Sequence, residues 1–166
     1  NNRNHMSIEM SLDSARPHIL ADGIRLRQLV HNLLKNSLET IGGNGWVKLK
    51  TNCVLHFGRS CVELSVEDNG KGIPADVADK IFEPYVTTKV KGSGLGLAIV
   101  KKIVDEHGGA VWVKNSEQGG ARFIVRLPMM SESVETRVND DPVVMKHSGI
   151  NNSSINNSSS KKDGVA

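Results

Sequence analysis

The sequence predicts an α/β protein, one sheet with its helices layered on a single face in a two-layer sandwich. Three observations lead there. Two apolar stripes at helical spacing, over about 22–41 and 94–107, are separated by alternating runs that read as strands. Glycine pairs at 42–43, 108–109 and 119–120 punctuate the joints. Beyond residue 130 the patterning stops: "INNSSINNSSS" (150–160) is low-complexity with almost nothing to pack, so 1–130 reads as the folded domain and 131–166 as a disordered tail or linker.

Composition narrows the class. The 166 residues are enough for one domain with a real core, and 38% hydrophobic with 23% charged residues suits a soluble globular chain. A net charge of +3 without a dense basic block argues against nucleic acid. No apolar run approaches a membrane span, so this segment is expected to make no membrane contact. The first residue is Asn1 rather than methionine, which suggests a piece of a longer protein. Cys53 and Cys61 lie in neighbouring candidate strands, and two reduced thiols are expected rather than a disulfide.

Taken in order, residues 1–17 are polar and weakly patterned, and "HILAD" (18–22) is a short extended candidate. Asp22 suits the N-cap of a helix running to about Ile41, with Leu26, Leu29, Val30, Leu33, Leu34, Ser37 and Ile41 on one face. "GWVKLKTNCVLHF" and "CVELSVE" alternate as two strands joined through Gly58 and Arg59. A helical turn over 75–81 follows Pro74, then an irregular stretch from Glu83 to Ser93. A second helix runs from near Gly94 to His107, with Leu95, Ile99, Val100, Ile103 and Val104 as its stripe. "AVWVKN" and "ARFIVRLP" complete the sheet around a Gly119-Gly120 turn.

Three stretches carry chemistry. In "VEDNGKGIP" (66–74) an acid follows a strand, and two glycines follow the acid. Ionised, Asp68 only accepts hydrogen bonds, so it would select a flat ligand offering N–H there, as the adenine amine does and guanine does not. Gly70 and Gly72 would let backbone pass against a base, although Asp-Asn-Gly is also ordinary turn chemistry. "GSGLGL" (92–97) opens a helix whose first N–H groups suit an anion. A dinucleotide fold needs a strand before such glycines, and "EPYVTTKVK" is polar and irregular, so a loop closing over phosphates fits better. In "HNLLKNSLE", Asn32, Asn36 and Glu39 form a polar stripe, and one Asn oxygen suffices for a magnesium ion that draws its other ligands from phosphate and water.

Together "HNLLKNSLET", "DNGKGIP", "IFEPYVTTK" and "GSGLGLAIVKKIVDEHGG", in that order, resemble the catalytic domain of a two-component sensor histidine kinase, most nearly the nitrogen-regulation kinases of the NtrB/NtrY type. The resemblance covers about residues 15–130. It implies the Bergerat fold, a mixed sheet with helices on one face, shared with gyrases, mismatch-repair ATPases and a heat-shock chaperone. It implies ATP and Mg2+ as cofactors, and phosphoryl transfer to a histidine. Asn36 should ligate the metal, Asp68 should bind the adenine amine, and Gly70, Gly72 and Ile73 should line the base. Phe82 should anchor the lid, and Gly92, Gly94, Leu95, Gly96 and Leu97 should hold phosphates through backbone. Thr88 and Lys89 should touch the phosphates, with Asn32, Asn36 and Lys89 as the catalytic set. Lys89 and Lys91 should repel each other until phosphate arrives, leaving the lid mobile. Lys35 either reaches a phosphate or is solvated, and His31 is structural.

Three positions depart from the family pattern: Asn32 where many members have glutamate, Thr87 where some have a lid arginine, and Ala121 in place of a threonine. Asparagine cannot take a proton from water, which disfavours a self-sufficient ATPase, while the missing Ala121 hydroxyl favours a regulator without phosphotransfer. His5, His18, His31, His56, His107 and His147 all lack the family's phosphoacceptor context. The resemblance therefore implies an upstream dimerisation and phosphoacceptor domain as partner, a response regulator reached through it, and a homodimeric parent. Placement would be cytoplasmic, with upstream segments free to anchor the parent in the inner membrane.

Overall fold

The computed structural model describes residues 5–13, 15, 17–89, 92–117 and 119–130. The chain divides into two units, Asn1–Glu132 and Ser133–Ala166; the described residues belong to the first, and the expected tail lies outside them. In chain order the elements are β1 (Met6–Ser11), α1 (Gly23–Thr40), β2 (Gly45–His56), β3 (Arg59–Asp68), α2 (Ala75–Ala78), α3 (Gly96–Glu106), β4 (Ala110–Asn115) and β5 (Ala121–Pro128). The strands form one sheet ordered β1-β2-β3-β5-β4, with β1 parallel to β2 and the other neighbours antiparallel. The mixed sheet and the two-layer architecture are as the sequence predicts.

Helix α1 begins where the sequence says. The Asp22 carboxylate accepts from the N–H groups of Ile24 (2.7 Å) and Arg25 (3.3 Å), two donors the helix itself leaves unpaired. Leu29, Leu33 and Ser37 are buried along one face, and the chain turns extended at Ile41. Helix α3 starts at Gly96, two residues later than expected, because Gly94 takes a left-handed φ of 68° that no helix continues. The far end of α3 is tied to the start of α1. The His107 ring accepts the Asp22 N–H at Nε2 (3.2 Å) and meets the Ile103 carbonyl at Nδ1 (2.7 Å), and a proton on Nδ1 satisfies both.

The sheet register decides which side chains meet the helices. Val47 pairs with Asp68, Leu49 with Val66, Val66 with Phe123 and Phe123 with Val113, so all of these share one face. That face joins Leu29, Leu33, Leu97, Val100, Ile103 and Val104 in a single core. The opposite face is covered by its own long side chains. Arg126 stacks 4.7 Å from the Trp112 ring, pairs with Glu63 at 2.8 Å and contacts His56 Nδ1 at 2.8 Å.

Three local expectations need correction. Residues 6–11 form strand β1, although Met6, Ile8 and Met10 stay 38%, 54% and 70% exposed at the sheet edge. "HILAD" is irregular rather than a strand. The β2–β3 turn is Phe57-Gly58, with φ of 47° and 75°, one residue earlier than Gly58-Arg59; a two-residue turn of that hand matches the twist of the strands. The cysteines are free, as expected: Cys53 pairs with Val62 and Cys61 with Val54, so the two thiols point to opposite faces.

Two outcomes follow. Leu33→Ala, at a fully buried position, should lower stability to urea by about 2–5 kcal/mol. The Ile24 and then the Arg25 N–H groups hold the Asp22 carboxyl below the usual carboxylate range. Its contribution is therefore present above the ordinary carboxylate pKa and lost as pH falls through the depressed value. Asp22→Ala should lower Tm at pH 7, and the gap to the wild type should narrow by pH 3; a gap independent of pH would contradict the cap.

Candidate functional site

Asp68 is the last residue of β3, a strand flanked by β2 on one side and β5 on the other. Its neighbours bury it to 1% exposure. Oδ1 accepts from the Gly70 N–H (2.9 Å) and the Ala121 N–H (3.3 Å), which fixes the carboxylate from both sides. Oδ2 has no partner. Asn32 Nδ2, Ser37 Oγ and Arg122 Nε are the other buried side-chain polar atoms without one among the described residues. A buried acceptor left unpaired costs about 1–3 kcal/mol, so a donor reaching Oδ2 gains that much in return.

Backbone closes in around this carboxylate. Gly120, at φ 82°, lies against the Asp68 carbonyl so closely that any Cβ there would collide with it. Asn69 Oδ1 accepts from the Trp46 N–H at 2.7 Å and binds the loop after β3 to β2. On the other side, Asn115 at the end of β4 clasps Ile73: its Oδ1 accepts the Ile73 N–H (2.8 Å) and its Nδ2 donates to the Ile73 carbonyl (2.9 Å). Gly72 sits beside the same Asn115 side chain. Ile73 and Phe82 pack partly buried against the core.

A cleft of about 690 Å³ opens between α1, α2 and the loop before α3. It brings together Asn32, Asn36, Thr88, Lys89, Gly92, Gly94, Leu95, Gly96 and Leu97 from the expected set, and adds Lys35 and Glu39. Asp68, Gly70, Gly72, Ile73 and Phe82 do not line this cleft; the first four lie at or just after the end of β3, and Phe82 follows α2 and packs against the core. Helix α1 spans the two: Asn32, Asn36 and Glu39 face the cleft, while Thr40 reaches Gly70, where an added Cβ would stand 2.7 Å from its Oγ1.

The two ends of the expected lid meet each other. Gly94 offers its carbonyl to the Tyr85 N–H at 3.0 Å, and a Cβ on Gly94 would lie 2.5 Å from the Tyr85 carbonyl carbon. Lys89 is not left to repel its neighbours. Its ammonium donates to Asn36 Oδ1 (2.9 Å) and Glu39 Oε2 (2.7 Å), with the Asn36 carbonyl at 3.5 Å. Lys91 lies outside the described residues. Sequence reasoning did not single out Asn115 or Gly120 for the site, and it placed Glu39 on the stripe without its partner fifty residues away. Gly120 was visible as part of a glycine pair; nothing local marks Asn115.

Comparison with known proteins identifies the family. Residues 21–131 match the family described as histidine kinase-, DNA gyrase B-, and HSP90-like ATPase. Sensor histidine kinase ZraS of Escherichia coli O157:H7 is 40% identical over 128 residues, 77% of this chain and 27% of that protein. Sensory histidine kinase/phosphatase NtrB of Rhodobacter capsulatus is 40% identical over 134 residues, 75% of this chain and 38% of that protein. The chain thus spans well under half the length of these curated relatives. The solved catalytic domain of histidine kinase ThkA superposes with a TM-score of 0.65 at 37% identity, covering 74% of this chain and 80% of that one. Full-length ShkA, solved in complex with AMPPNP, gives a TM-score of 0.64 at 38% identity, covering 75% and 26% respectively.

Proposed function

Because this chain belongs to the histidine kinase-, DNA gyrase B-, and HSP90-like ATPase family, and within it to the sensor-kinase catalytic domains, we propose that it binds Mg-ATP and delivers the γ-phosphate to a histidine on a separate dimerisation domain. The observation that carries this reading is Asp68 Oδ2, a buried acceptor with its twin oxygen already engaged and no partner of its own among the described residues. An adenine amine is the donor that fits it; the oxygen of guanine in the same place would set acceptor against acceptor. Gly70, Gly72 and Ile73 line the base, and Phe82 packs beneath the lid.

The triphosphate then runs toward the cleft. The N–H groups at the start of α3, around Gly94, Leu95, Gly96 and Leu97, face developing negative charge with the positive end of the helix. Thr88, Lys89 and Gly92 approach from the lid. Asn36 Oδ1 is an oxygen on α1 suited to a hard cation, and Mg2+ there would neutralise phosphate charge. Asn32 is an amide and supplies no base for water, which favours transfer over hydrolysis. These residues bind, orient and exclude water. The acceptor histidine comes from outside the chain, so catalysis is mostly positioning.

The 166-residue chain, incubated alone with γ-labelled Mg-ATP, should neither label itself nor release phosphate appreciably. Adding the helical hairpin of its own parent should place label on that hairpin's histidine, at a rate that saturates with hairpin concentration. Rapid phosphate release by the chain alone would favour an ATP-hydrolysing module instead. Tight nucleotide binding without transfer would favour a regulator, as the Ala121 position suggests. Asn36→Ala should weaken nucleotide binding with Mg2+ present and change it far less in EDTA, measured by calorimetry; equal losses in both would remove Asn36 as the metal ligand.

A further inference from the structure

We propose that the Lys89 ammonium and the metal of a metal–nucleotide complex are alternative cations on Asn36 Oδ1, with Glu39 as the positioning residue that holds Lys89 there. The inference rests on the reading of Asn36 as the metal ligand. The geometry is specific. Lys89 Nζ faces three hard oxygens of α1, at 2.9 Å (Asn36 Oδ1), 3.5 Å (Asn36 carbonyl) and 2.7 Å (Glu39 Oε2). Three acceptors match the three N–H donors of an ammonium, and oxygens of this kind are also what a divalent ion takes. One amide oxygen does not serve a lysine and a dication together, because the two charges repel at contact range.

The contact is built to exchange. The Lys89 and Glu39 side chains are 28% and 44% exposed, so the pair is partly shielded yet reached by water, and its net strength is modest. Glu39 also faces Lys35 Nζ at 3.9 Å, so its charge keeps a counterpart after Lys89 departs. Lys89 itself sits in a tight turn: its N–H donates to Thr87 Oγ1 (3.1 Å) and its carbonyl accepts from the Gly92 N–H (3.1 Å). Release of the ammonium therefore frees the Thr87–Lys89 turn from α1. The lid is latched to the metal ligand by its own lysine, and arrival of the metal–nucleotide complex unlatches it and turns that lysine toward phosphate.

Glu39→Gln tests this in the 166-residue chain. AMPPNP binding is titrated by calorimetry over a range of Mg2+ concentrations, and amide exchange at residues 85–89 and 92–95 is followed without nucleotide. The substitution should lower the half-saturating Mg2+ about two- to fivefold and speed lid exchange by a similar factor, the size expected for one partly exposed ion pair. Glu39→Asp, which keeps the carboxylate, should move both readouts back toward wild type. A merely structural role for Glu39 would lower Tm without moving the Mg2+ requirement. An unchanged requirement in the presence of normal AMPPNP binding overturns the exchange alone. A raised requirement also overturns it, since Glu39 would then serve the metal directly. A wild-type chain that binds no AMPPNP at any Mg2+ concentration overturns the ATP reading and the exchange with it.

Discussion

A carboxylate with one oxygen satisfied and the other waiting, buried at the end of a strand inside the sheet, sets the terms for everything around it. Keeping Asp68 at 1% exposure requires dense backbone on all sides, and burying an ionised group without partners would cost several kcal/mol. The chain meets that demand with two N–H donors on Oδ1, one from the glycine loop and one from the start of β5. The second donor can reach only because the β4–β5 turn folds onto the Asp68 carbonyl, and that approach excludes every residue but glycine at 120. The loop that follows is then clamped by Asn69 to β2 and by Asn115 to β4. The wall around Asp68 is therefore assembled by strand ends and does not depend on the segment before α3.

The cleft beside it works on a different physical principle. The cleft is lined by α1, by the lid and by the helix start, and the contacts that cross it are electrostatic, exposed and modest in strength. Such contacts suit a surface that must open. Meanwhile the helices themselves are held rigidly: the His107 ring joins the end of α3 to the cap of α1, and Leu29, Leu33, Val100, Ile103 and Val104 interlock beneath. On the proposed reading, the strand-end wall and the packed helix pair stay in place, and only the loop carrying Lys89 has to move when a triphosphate binds.

Much of this was legible in the sequence, for identifiable reasons. Both long helices announce themselves by leucine and valine at helical spacing with glycines at their ends, and the last two strands fall where the alternation puts them. Strand β1 was not legible because an exposed edge strand hides little surface; its Met6, Ile8, Met10 alternation lies inside a polar segment. The start of α3 was read two residues early because propensity does not reveal that Gly94 adopts a left-handed φ to pass Tyr85. Within the candidate site, the sequence singled out Asp68, the glycines and Asn36 because each lies in a local motif. Partnerships between distant segments did not. Nothing near Asn115 marks it as the clasp for Ile73, and nothing near Glu39 says that a lysine fifty residues on will sit against it.

The central claim is that Asp68 Oδ2 waits for the N–H of an adenine, and nucleotide choice tests it most directly. The experiment is calorimetric titration of the 166-residue chain with Mg-ATP and with Mg-GTP, repeated on Asp68→Asn with the fold checked by circular dichroism. ATP should bind at least about tenfold more tightly than GTP, and Asp68→Asn should remove most of the ATP affinity, since a charge-assisted hydrogen bond is lost and an amide donor can turn toward the amine. Equal affinity for the two nucleotides, or a folded Asp68→Asn chain that binds ATP as well as the wild type, would contradict the account.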